Sequence, residues 1–448
     1  MMYRNIFVTG TNSCTGSESN EQLAIHLLIK QGYKIVETLD DAHIVLFFGC
    51  VYTTGRINKC AQELNLILDE KKSDTLVIIT GCFSGKTDVV DYYKEKVDYI
   101  IKEYGLNGVV STIKVVEELN NKQYCVNSKS LISSSPNEYC YINIVDGCEN
   151  RCTFCKNNYM DTHLCSSMME NIVFFVKEQV KAGIRCVTLS GLNITQYGID
   201  IYGKQMLHEL LTQLSQIEDL KWIRLYMLAP QDMYEDLTKE IINNKKVVSM
   251  IIPIQTCSDR LLKLMNRKHT NEECYNILSE IRIARPDIFM ETALMESFPT
   301  ETEEDIRETA KQIRKYGFDE IIVSPYSNNS DLPSSKLKQL SKEQKLKNSA
   351  LYSQLFMREV SRKQDSLKGQ TIHCIVIEQK QDIALCITNR ILCSGDLWVF
   401  VKVPKGVMLE ENSLISSKIT KLPKRNKKVQ FNFRTETTLK AKFCDYIL

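Results

Sequence analysis

The chain has 448 residues, of which 43% are hydrophobic and 25% charged, an ordinary composition for a globular protein of about three domains. The formal net charge of +2 excludes a chain that binds polyanions over its whole surface. The longest apolar run near the start, residues 44–48, is far shorter than the ~18 residues of a membrane span. The first residues lack a signal peptide's apolar core, so we expect a cytoplasmic protein that does not enter a membrane.

The first 125 residues alternate between predicted strands and predicted helices. The spacing of apolar residues predicts strands at 5–9, 34–37, 44–48 and 75–80, and helices at 19–31 and 57–68. Strands that alternate with helices form a parallel sheet, so we expect an α/β domain of three layers at 1–125. The polar, Ser/Asn-rich residues 120–136 are typical of a linker.

Strands and helices alternate again over residues 137–366, a length close to that of a full or slightly open α/β barrel. The last helix of this region is predicted at 342–363. Over residues 367–448 the pattern changes to short β runs, spaced as in a small all-β barrel. These runs are predicted at 372–378, 383–388, 397–403, 414–419 and 429–433.

Cysteine is unusually frequent, with 17 residues in a chain that has no export signal. In a reducing compartment this number favours metal ligation over disulfides. Most of the cysteines are interpreted as small apolar residues of the core. Cys257 falls near the predicted active face, but we leave it outside the site. Six others stand apart by position.

Three of the six form a Cys-x3-Cys-x2-Cys motif, Cys148, Cys152 and Cys155, directly after the apolar residues 141–145. Three thiolates on one tight loop can hold three irons of a [4Fe–4S] cluster and leave the fourth iron open. An open coordination position is typical of a catalytic metal rather than a structural one. The alternative is a zinc knuckle with His163 as the fourth ligand.

The other three, Cys14, Cys50 and Cys82, each follow a predicted parallel strand. Ligands bind beyond the carboxyl ends of the strands in open parallel sheets, so these thiols are expected to converge at one edge. Together they are predicted to ligate a second [4Fe–4S] cluster, again with one free iron. The alternative is three loop thiols without a metal.

The central motif resembles that of the radical S-adenosylmethionine (SAM) superfamily. Over almost its full length the chain resembles the radical SAM methylthiotransferases, in which a three-cysteine domain precedes a radical SAM barrel and a small β-barrel of the TRAM type. The stretches LSGLNITQYG, IPIQTCSDRLLKLMNRKHT and FPTETEEDI support the resemblance. It implies two [4Fe–4S] clusters, SAM as cofactor, and a flavodoxin or ferredoxin as reductant. One SAM then methylates a sulfur on the cluster of Cys14, Cys50 and Cys82. A second SAM yields the radical that abstracts hydrogen from an unactivated C–H, and the methylthio group is delivered to that carbon.

The resemblance also implies residues that contact SAM, whereas no residue is predicted to act as an acid or base. Phe154 is expected at the adenine. Gly191 lets the backbone approach the SAM amino group, or is a turn glycine. Gln255, predicted to end a strand at 250–254, either binds SAM or is a solvated polar residue. Arg224 lies within a predicted strand, where a charge needs a partner, either the SAM carboxylate or a structural ion pair. Weaker candidates are Tyr326 and Arg267.

Several motifs depart from the family pattern and leave the substrate open. Phe48-Gly49 stands where the family has Asn-Thr, and Thr256-Cys257 where it has Ser-Gly. Ser297-Phe298-Pro299-Thr300 replaces Gly-Phe-Pro-Gly, and the Pro-x-x-Arg-Gly run after Cys155 is missing.

The substrate is predicted from charge. Residues 368–448 carry 14 Lys+Arg against 7 Asp+Glu, densest at 421–428, with Phe431, Phe433 and Phe443 nearby. Basic patches with aromatic residues suit single-stranded RNA loops. We therefore expect a monomeric enzyme that methylthiolates a hypermodified adenosine beside the anticodon of tRNA. One alternative is methylthiolation of a ribosomal protein or peptide side chain; the other is an RNA-binding protein whose clusters are structural.

Overall fold

The computed structural model describes thirteen stretches of the chain: 4–10, 20–21, 24–25, 27–29, 31–49, 54–85, 87–102, 105–120, 140–156, 163–181, 183–389, 398–421 and 439–446. Within these stretches the strands form three separate sheets. Cys14, Cys50, nearly all of the predicted linker, the predicted strand at 429–433 and most of the basic run lie outside the described residues.

The first sheet is parallel, with strand order β2-β1-β3-β4-β5. Every residue of the central strand β3 is buried, because helices cover both faces of the sheet. Ile44 and Leu46 pack on one face with Val109 and Ile113. The expectation of a three-layer α/β fold is thus confirmed. The elements are β1 Asn5–Thr9, β2 Lys34–Val36, β3 Ile44–Phe48, α1 Thr54–Glu70, β4 Leu76–Thr80, α2 Thr87–Tyr93, β5 Tyr99–Ile100 and α3 Gly105–Leu119.

The second sheet has seven strands in the order β12-β11-β10-β9-β8-β6-β7, all parallel except for the short edge strand β7. The pairing given for the described residues does not join β12 to β7, so the sheet is an open α/β barrel, as expected. Its strands are β6 Cys140–Asp146, β7 Cys165–Ser166, β8 Cys186–Gly191, β9 Trp222–Tyr226, β10 Val247–Ile251, β11 Phe289–Glu296 and β12 Glu320–Pro325. Its helices are α4 Met169–Lys181, α5 Ile199–Tyr202, α6 Leu207–Ser215, α7 Glu235–Asn243, α8 Asp259–Leu264, α9 Asn271–Ala284, α10 Glu303–Tyr316 and α11 Lys342–Leu367.

Two helices of this barrel begin with a complete capping box. Thr270 and Glu273 exchange hydrogen bonds at the start of α9, as Thr302 and Asp305 do at the start of α10. These caps fix where the loops that follow β10 and β11 end, and both loops lie at the carboxyl ends of the strands. Within the described part of the chain, no helix combines the length and apolar character that a membrane crossing requires.

One strand lies earlier than its predicted position at 250–254. Strand β10 ends at Ile251, and Gln255 lies four residues farther on, where it forms an isolated bridge with Leu294. Pro253 explains the difference, because a proline has no N–H to donate to the ladder. Gln255 therefore belongs to the loop above the strand rather than to its end.

The third sheet is a closed barrel with strand order β13-β14-β15-β17-β16, which confirms the small all-β barrel. Its core includes Ile372, Cys374, Val376 and Val401. The last strand had not been predicted, because Lys and Asp interrupt its apolar residues. The strands are β13 Thr371–Lys380, β14 Ile383–Thr388, β15 Trp398–Lys402, β16 Leu414–Lys421 and β17 Leu439–Tyr446.

The closed barrel packs against the amino-terminal ends of the strands of the open barrel. Trp222 and Phe289, the first residues of β9 and β11, are in one apolar cluster with Ile375, Ile377 and Ile387 of the closed barrel. The closed barrel therefore lies at the end of the sheet that is remote from the carboxyl ends of its strands.

We expect the variant Trp222→Ala to lose about 3–5 kcal/mol of unfolding free energy, because Trp222 is only 4% exposed and the two barrels would be left with a cavity between them. Urea denaturation followed by circular dichroism measures the loss. The matched control is Ile283→Ala, whose side chain is 82% exposed and should change stability by less than about 0.5 kcal/mol. Equal effects of the two variants would contradict the assigned interface.

Candidate functional site

The cysteine loop follows β6 directly and lies at the carboxyl ends of the parallel strands. Cys152 is buried, and Cys148 and Cys155 are partly buried. The backbone N–H of Cys155 donates to the carbonyl of Cys152, so the second half of the loop is a tight turn. The structure thus places the three predicted ligands on one short loop at the face where barrel active sites lie.

One carboxylate oxygen fastens this loop to its neighbours. Oδ2 of Asp232 accepts hydrogen bonds from Asn150 Nδ2 at 2.5 Å, Asn193 Nδ2 at 2.6 Å and Gln196 Nε2 at 3.2 Å. These residues belong to the loops after β6, β8 and β9, so the contacts join three loops that neighbour one another along the sheet. Asn193 Nδ2 also lies 3.8 Å from Cys148 Sγ. Asp232 was not predicted from the sequence, because no spacing rule links it to the cysteines.

The electrostatics of the loop fit an iron–sulfur cluster. Burial raises the pKa of the Cys148 thiol, and the charges of Cys152 and Asp232 raise it further, while hydrogen bonds from Asn150 and Asn193 lower it. Thiolates here need a positively charged partner, which iron supplies. No three His, Cys, Asp or Glu side chains of the described residues gather tightly enough to hold one metal ion.

An aromatic group lies beside the cysteine loop. The ring of Phe154 meets the ring of Phe298 edge-on, with centroids 6.4 Å apart, and Phe298 meets Tyr326 at 5.5 Å. The guanidinium of Arg267 lies 6.0 Å from the centroid of Phe154. Thr153 Oγ1 donates to the carbonyl of the last residue of α8, which fixes the position of this part of the loop. The structure therefore brings Phe154 together with both weaker candidates, Tyr326 and Arg267.

Three neighbouring strands are each followed by a residue in the left-handed backbone region. The φ values are 72° at Met227, 69° at Gln255 and 60° at Ser297, after β9, β10 and β11. Such a conformation costs about 1–3 kcal/mol in a residue other than glycine and is concentrated at functional sites. The loop at Gln255 is held by two backbone bonds to β11: its N–H donates to Ala293, and its carbonyl accepts from Met295. The strain lies at the same end of the sheet as the cysteines.

The loop after β11 carries two of the departures from the family pattern. Ser297 and Thr300 stand where the family has glycine, and both have positive φ, 60° and 69°. Glu301 Oε2 accepts from the backbone N–H of Ser297 at 2.7 Å. Arg260 donates to the carbonyl of Thr300 at 2.9 Å and to its hydroxyl at 3.1 Å. These anchors hold a strained loop whose middle residue, Phe298, contacts Phe154.

Gly191 is required by the packing of two strands. A Cβ at this position would meet the carbonyl oxygen of Val145 at 2.5 Å. The glycine therefore allows β8 to approach β6 directly above the start of the cysteine loop. This contact accounts for the residue type, and the predicted approach to the SAM amino group stays a prediction.

Arg224 lies within the strands rather than at the cysteine loop. Its Nε donates to Ser249 Oγ at 3.0 Å, and the residue is 5% exposed. Burial and the charge of Glu320 raise the pKa of Glu291 to about 8, and the charge of Arg224 opposes the rise. Arg224 thus lies inside the barrel beside Ser249 and in the electrostatic field of Glu291, and its two predicted roles, a contact with the SAM carboxylate or a structural ion pair, stay predictions.

In the first sheet, glycines bring the ends of three adjacent strands close together. A Cβ on Gly10 would lie 2.0 Å from the carbonyl oxygen of Phe48, and one on Gly49 would lie 2.3 Å from Cβ of Phe83. Gly81, with a φ of 81°, approaches the carbonyl of Gly49. Cys82 comes next after Gly81, is partly buried and begins a 3-10 turn. Of the early cysteines only Cys82 is among the described residues.

Ser297→Gly should raise the unfolding free energy by about 1–2 kcal/mol, since glycine adopts the left-handed conformation without strain. The Ser297 hydroxyl is also buried without a hydrogen-bond partner among the described residues, so its loss removes a second unfavourable contribution. Ser297→Ala separates the two effects, because it removes the hydroxyl and keeps the strain. Urea denaturation of the apoprotein compares all three; a less stable Ser297→Gly variant would contradict the assigned strain.

Glu301 should make stability depend on pH. Burial raises its pKa from 4.5 to about 7, against hydrogen bonds from Tyr352, Ser297 and Asn348 that lower it. The native state then binds a proton that the unfolded chain has released between pH 4.5 and 7. The contribution of Glu301 is therefore fully present below pH 4.5 and is lost as the pH rises through 7, by roughly 3 kcal/mol.

The variant Glu301→Gln tests this dependence, because its amide oxygen can accept from Ser297 and Asn348, its NH2 group can donate to the Tyr352 hydroxyl, and the side chain does not titrate. Denaturation midpoints from pH 5 to pH 8 should fall less steeply in the variant than in the parent protein. Parallel pH profiles would show that Glu301 titrates normally in the folded protein.

Two family models match the chain over its first two sheets. A model of the radical SAM superfamily matches residues 142–313, which carry the cysteine loop. A model described as uncharacterized protein family UPF0004 matches residues 7–101, which carry the first sheet.

Similar proteins cover most of the chain. A ribosomal protein uS12 methylthiotransferase from Acetivibrio thermocellus is 33% identical over 79% of this chain and 82% of its own length. A protein of the same name from Clostridium botulinum is 33% identical over 68% and 71%. A tRNA-2-methylthio-N(6)-dimethylallyladenosine synthase from Thermoanaerobacter pseudethanolicus is 30% identical over 71% and 70%.

Among solved structures, the radical SAM methyltransferase TsrM from Kitasatospora setae matches with a TM-score of 0.55 at 12% identity, over 75% of this chain and 74% of that one. The cobalamin-dependent radical enzyme OxsB matches with a TM-score of 0.50 at 11% identity, over 80% and 56%. At these identities the two structures show the fold alone.

The relatives correct the expectation of a tRNA substrate, which is wrong. The two relatives at 33% identity, and three more at 26–30%, are named as enzymes of ribosomal protein uS12. The tRNA substrate had been predicted from the positive charge of residues 368–448. The closed barrel that these residues form packs at the end of the sheet remote from the cysteine loop, so its charge is only an indirect guide to the substrate.

Proposed function

Because the chain belongs to the radical SAM methylthiotransferase family, we propose that it transfers a methylthio group to a carbon–hydrogen bond in a ribosomal protein. The chain is a radical SAM methylthiotransferase, and its cofactors are SAM and an iron–sulfur cluster. The observation that carries the substrate class is the 33% identity to a uS12 methylthiotransferase over four-fifths of the chain.

We assign the radical cluster to Cys148, Cys152 and Cys155. When bound, a [4Fe–4S] cluster and SAM supply the radical that removes hydrogen from the substrate. The protein's own part is to hold three thiolates on one loop and leave the fourth coordination position free. Asp232 and Asn193 keep that loop in place, and Asn193 offers an N–H to the sulfur of Cys148.

A second [4Fe–4S] cluster is proposed on Cys14, Cys50 and Cys82, where it carries the sulfur that is transferred. The close packing of Gly10, Gly49 and Gly81 supports it. Cys50 directly follows Gly49, and Cys82 directly follows Gly81. The two glycines follow β3 and β4, which are paired in parallel, so they lie at the same edge of the sheet.

For SAM itself we propose contacts from Phe154, Gly191 and Gln255. Phe154 lies between two cluster ligands, and Gly191 lies above β6, next to the start of the cysteine loop. Gln255 has a strained backbone, with a φ of 69°, in a loop at the same end of the sheet. Such strain is concentrated at functional sites, which supports a contact with SAM over a solvated side chain. Arg224 is the least supported of the four predicted contacts, since Ser249 and Glu291 already surround it.

The remaining assignments concern the whole molecule. We propose three domains, at 1–125, 137–366 and 367–448, each containing one of the three sheets. The enzyme works as a cytoplasmic monomer, and a flavodoxin or ferredoxin supplies its electrons. Action on a ribosomal protein suits that location, because ribosomes are assembled inside the cell.

The test combines the reconstituted enzyme, SAM, a chemical reductant and purified uS12 protein, with mass spectrometry of the polypeptide. We expect a methylthiolated product and about 8 iron atoms per chain. The triple variant Cys14→Ala/Cys50→Ala/Cys82→Ala should keep about 4 iron atoms and still cleave SAM, but it should not methylthiolate. Cys148→Ala should lose SAM cleavage.

Two results would contradict the proposal. Methylthiolation by the triple variant would show that the early cysteines do not carry the transferred sulfur. Methylthiolated tRNA together with unmodified uS12 would show that the substrate class is wrong. Cys60→Ala, which removes a buried thiol of helix α1 that packs against the same sheet, is the matched control and should keep full activity.

A further inference from the structure

Arg267 bridges two loops at the carboxyl ends of the strands. Its Nη1 donates to Gln231 Oε1 at 3.1 Å, in the loop after β9. Its Nη2 donates to the carbonyl of Pro253 at 2.9 Å, in the loop after β10. The guanidinium also lies 6.0 Å from the ring centroid of Phe154. In the sequence, Phe154 stands between two of the proposed cluster ligands, Cys152 and Cys155. Three separate segments of the active face thus meet at one cationic side chain.

Two donors of this group have no hydrogen-bond partner in the part of the chain that the structure describes. Nε of Arg267 and Nε2 of Gln231 are both buried and lack a hydrogen-bond partner among the described residues. A buried N–H without an acceptor costs free energy, and such groups in a native fold call for an explanation. A bound ligand that supplies acceptors is one explanation that fits both donors at once.

Among the described residues, Arg267 has no ion pair with a carboxylate. Arg260, Arg282, Arg285 and Arg307, in contrast, each form one. Its titratable neighbours are His269 and Cys274. Burial and the charge of Arg267 lower the pKa of His269 to about 4, so this imidazole stays neutral. The nearby carboxylate of Asp232 is bonded to the side-chain amides that hold the cysteine loop.

We propose that Arg267 and Gln231 form a binding subsite for a ligand carboxylate. A carboxylate is the group that matches a guanidinium N–H beside an amide N–H, because it offers two acceptor oxygens and one negative charge. Two sources can provide it: the methionine part of SAM, or an acidic side chain of the polypeptide. The inference rests on the proposed function and adds the group that recognises an anionic part of its reactants.

The subsite also explains why Arg224 is not needed for this purpose. Arg224 has a hydrogen-bond partner in Ser249 and lies in the electrostatic field of Glu291, inside the barrel. Arg267, in contrast, contacts the loops after β9 and β10, and its Nε has no hydrogen-bond partner among the described residues.

The experiment measures dissociation constants of the iron-loaded protein for SAM and for decarboxylated SAM, which lacks the carboxylate. If the carboxylate is that of SAM, Arg267→Met weakens SAM binding about tenfold to a hundredfold and leaves the affinity for decarboxylated SAM nearly unchanged. Arg267→Lys keeps the charge but loses the planar guanidinium, so its affinity for SAM should fall between those of the parent protein and Arg267→Met. Iron content is measured for each variant, so that loss of the cluster is not mistaken for loss of the subsite.

A second arm measures binding of the uS12 polypeptide. If Arg267→Met leaves SAM affinity intact but weakens the polypeptide about tenfold or more, the carboxylate belongs to the polypeptide, and the subsite still stands. The control Arg307→Met removes an exposed arginine of α10 that pairs with Glu303, and it should change neither affinity.

Unchanged affinity for both reactants in Arg267→Met and Gln231→Ala would overturn the subsite, while a parent protein that still binds SAM would leave the proposed function intact. A parent protein that holds its iron and binds no SAM would instead overturn the proposed function and the subsite with it.

Discussion

A single carboxylate oxygen holds the active face together. Oδ2 of Asp232 accepts from the side-chain amides of Asn150, Asn193 and Gln196, and so joins the loops after β6, β8 and β9. The cysteine loop is also held by hydrogen bonds from Glu149 N–H to Gln196 Oε1, from Asn266 Nδ2 to the carbonyl of Arg151 and from Thr153 Oγ1 to the carbonyl of Leu264. Oδ2 of Asp232 also orients Asn193 toward Cys148, so one interaction bears on both the position of the loop and the hydrogen bonding of a proposed cluster ligand.

The loops at the carboxyl ends of the strands contain strained backbone, and hydrogen bonds from neighbouring residues hold it in place. Met227, Gln255 and Ser297 follow three adjacent strands in the left-handed region, and buried or paired side chains hold the last of these loops in place. Glu301 connects that loop to Tyr352 of α11, the helix that leads into the closed barrel. One buried carboxyl group therefore links the loop that carries Phe298 to α11.

The three sheets have different roles in building the site, and the charge of each does not show which one faces the substrate. The first brings glycine-bearing strand ends together, the second presents the cysteine loop, and the third packs against the opposite ends of the strands of the second. Because the closed barrel lies at that remote end, its positive charge is a poor guide to what the active face accepts. The relatives named for uS12 therefore outweigh the inference from charge.

The sequence by itself determined several of the strands, the sheet classes and the cysteine loop, because apolar periodicity and ligand spacing are local properties of the chain. Strands β1, β3 and β14 have their predicted bounds, and Cys148, Cys152 and Cys155 lie within eight residues. Only the tertiary structure decided which distant residues meet that loop. Asp232 and Arg267 lie 84 and 119 residues beyond Cys148 along the chain and reach the loop because parallel strands end at one edge. Tertiary packing also showed that Arg224 has partners inside the barrel and that Pro253 ends β10 before Gln255, since neither pairing partners nor missing ladder bonds can be read from periodicity.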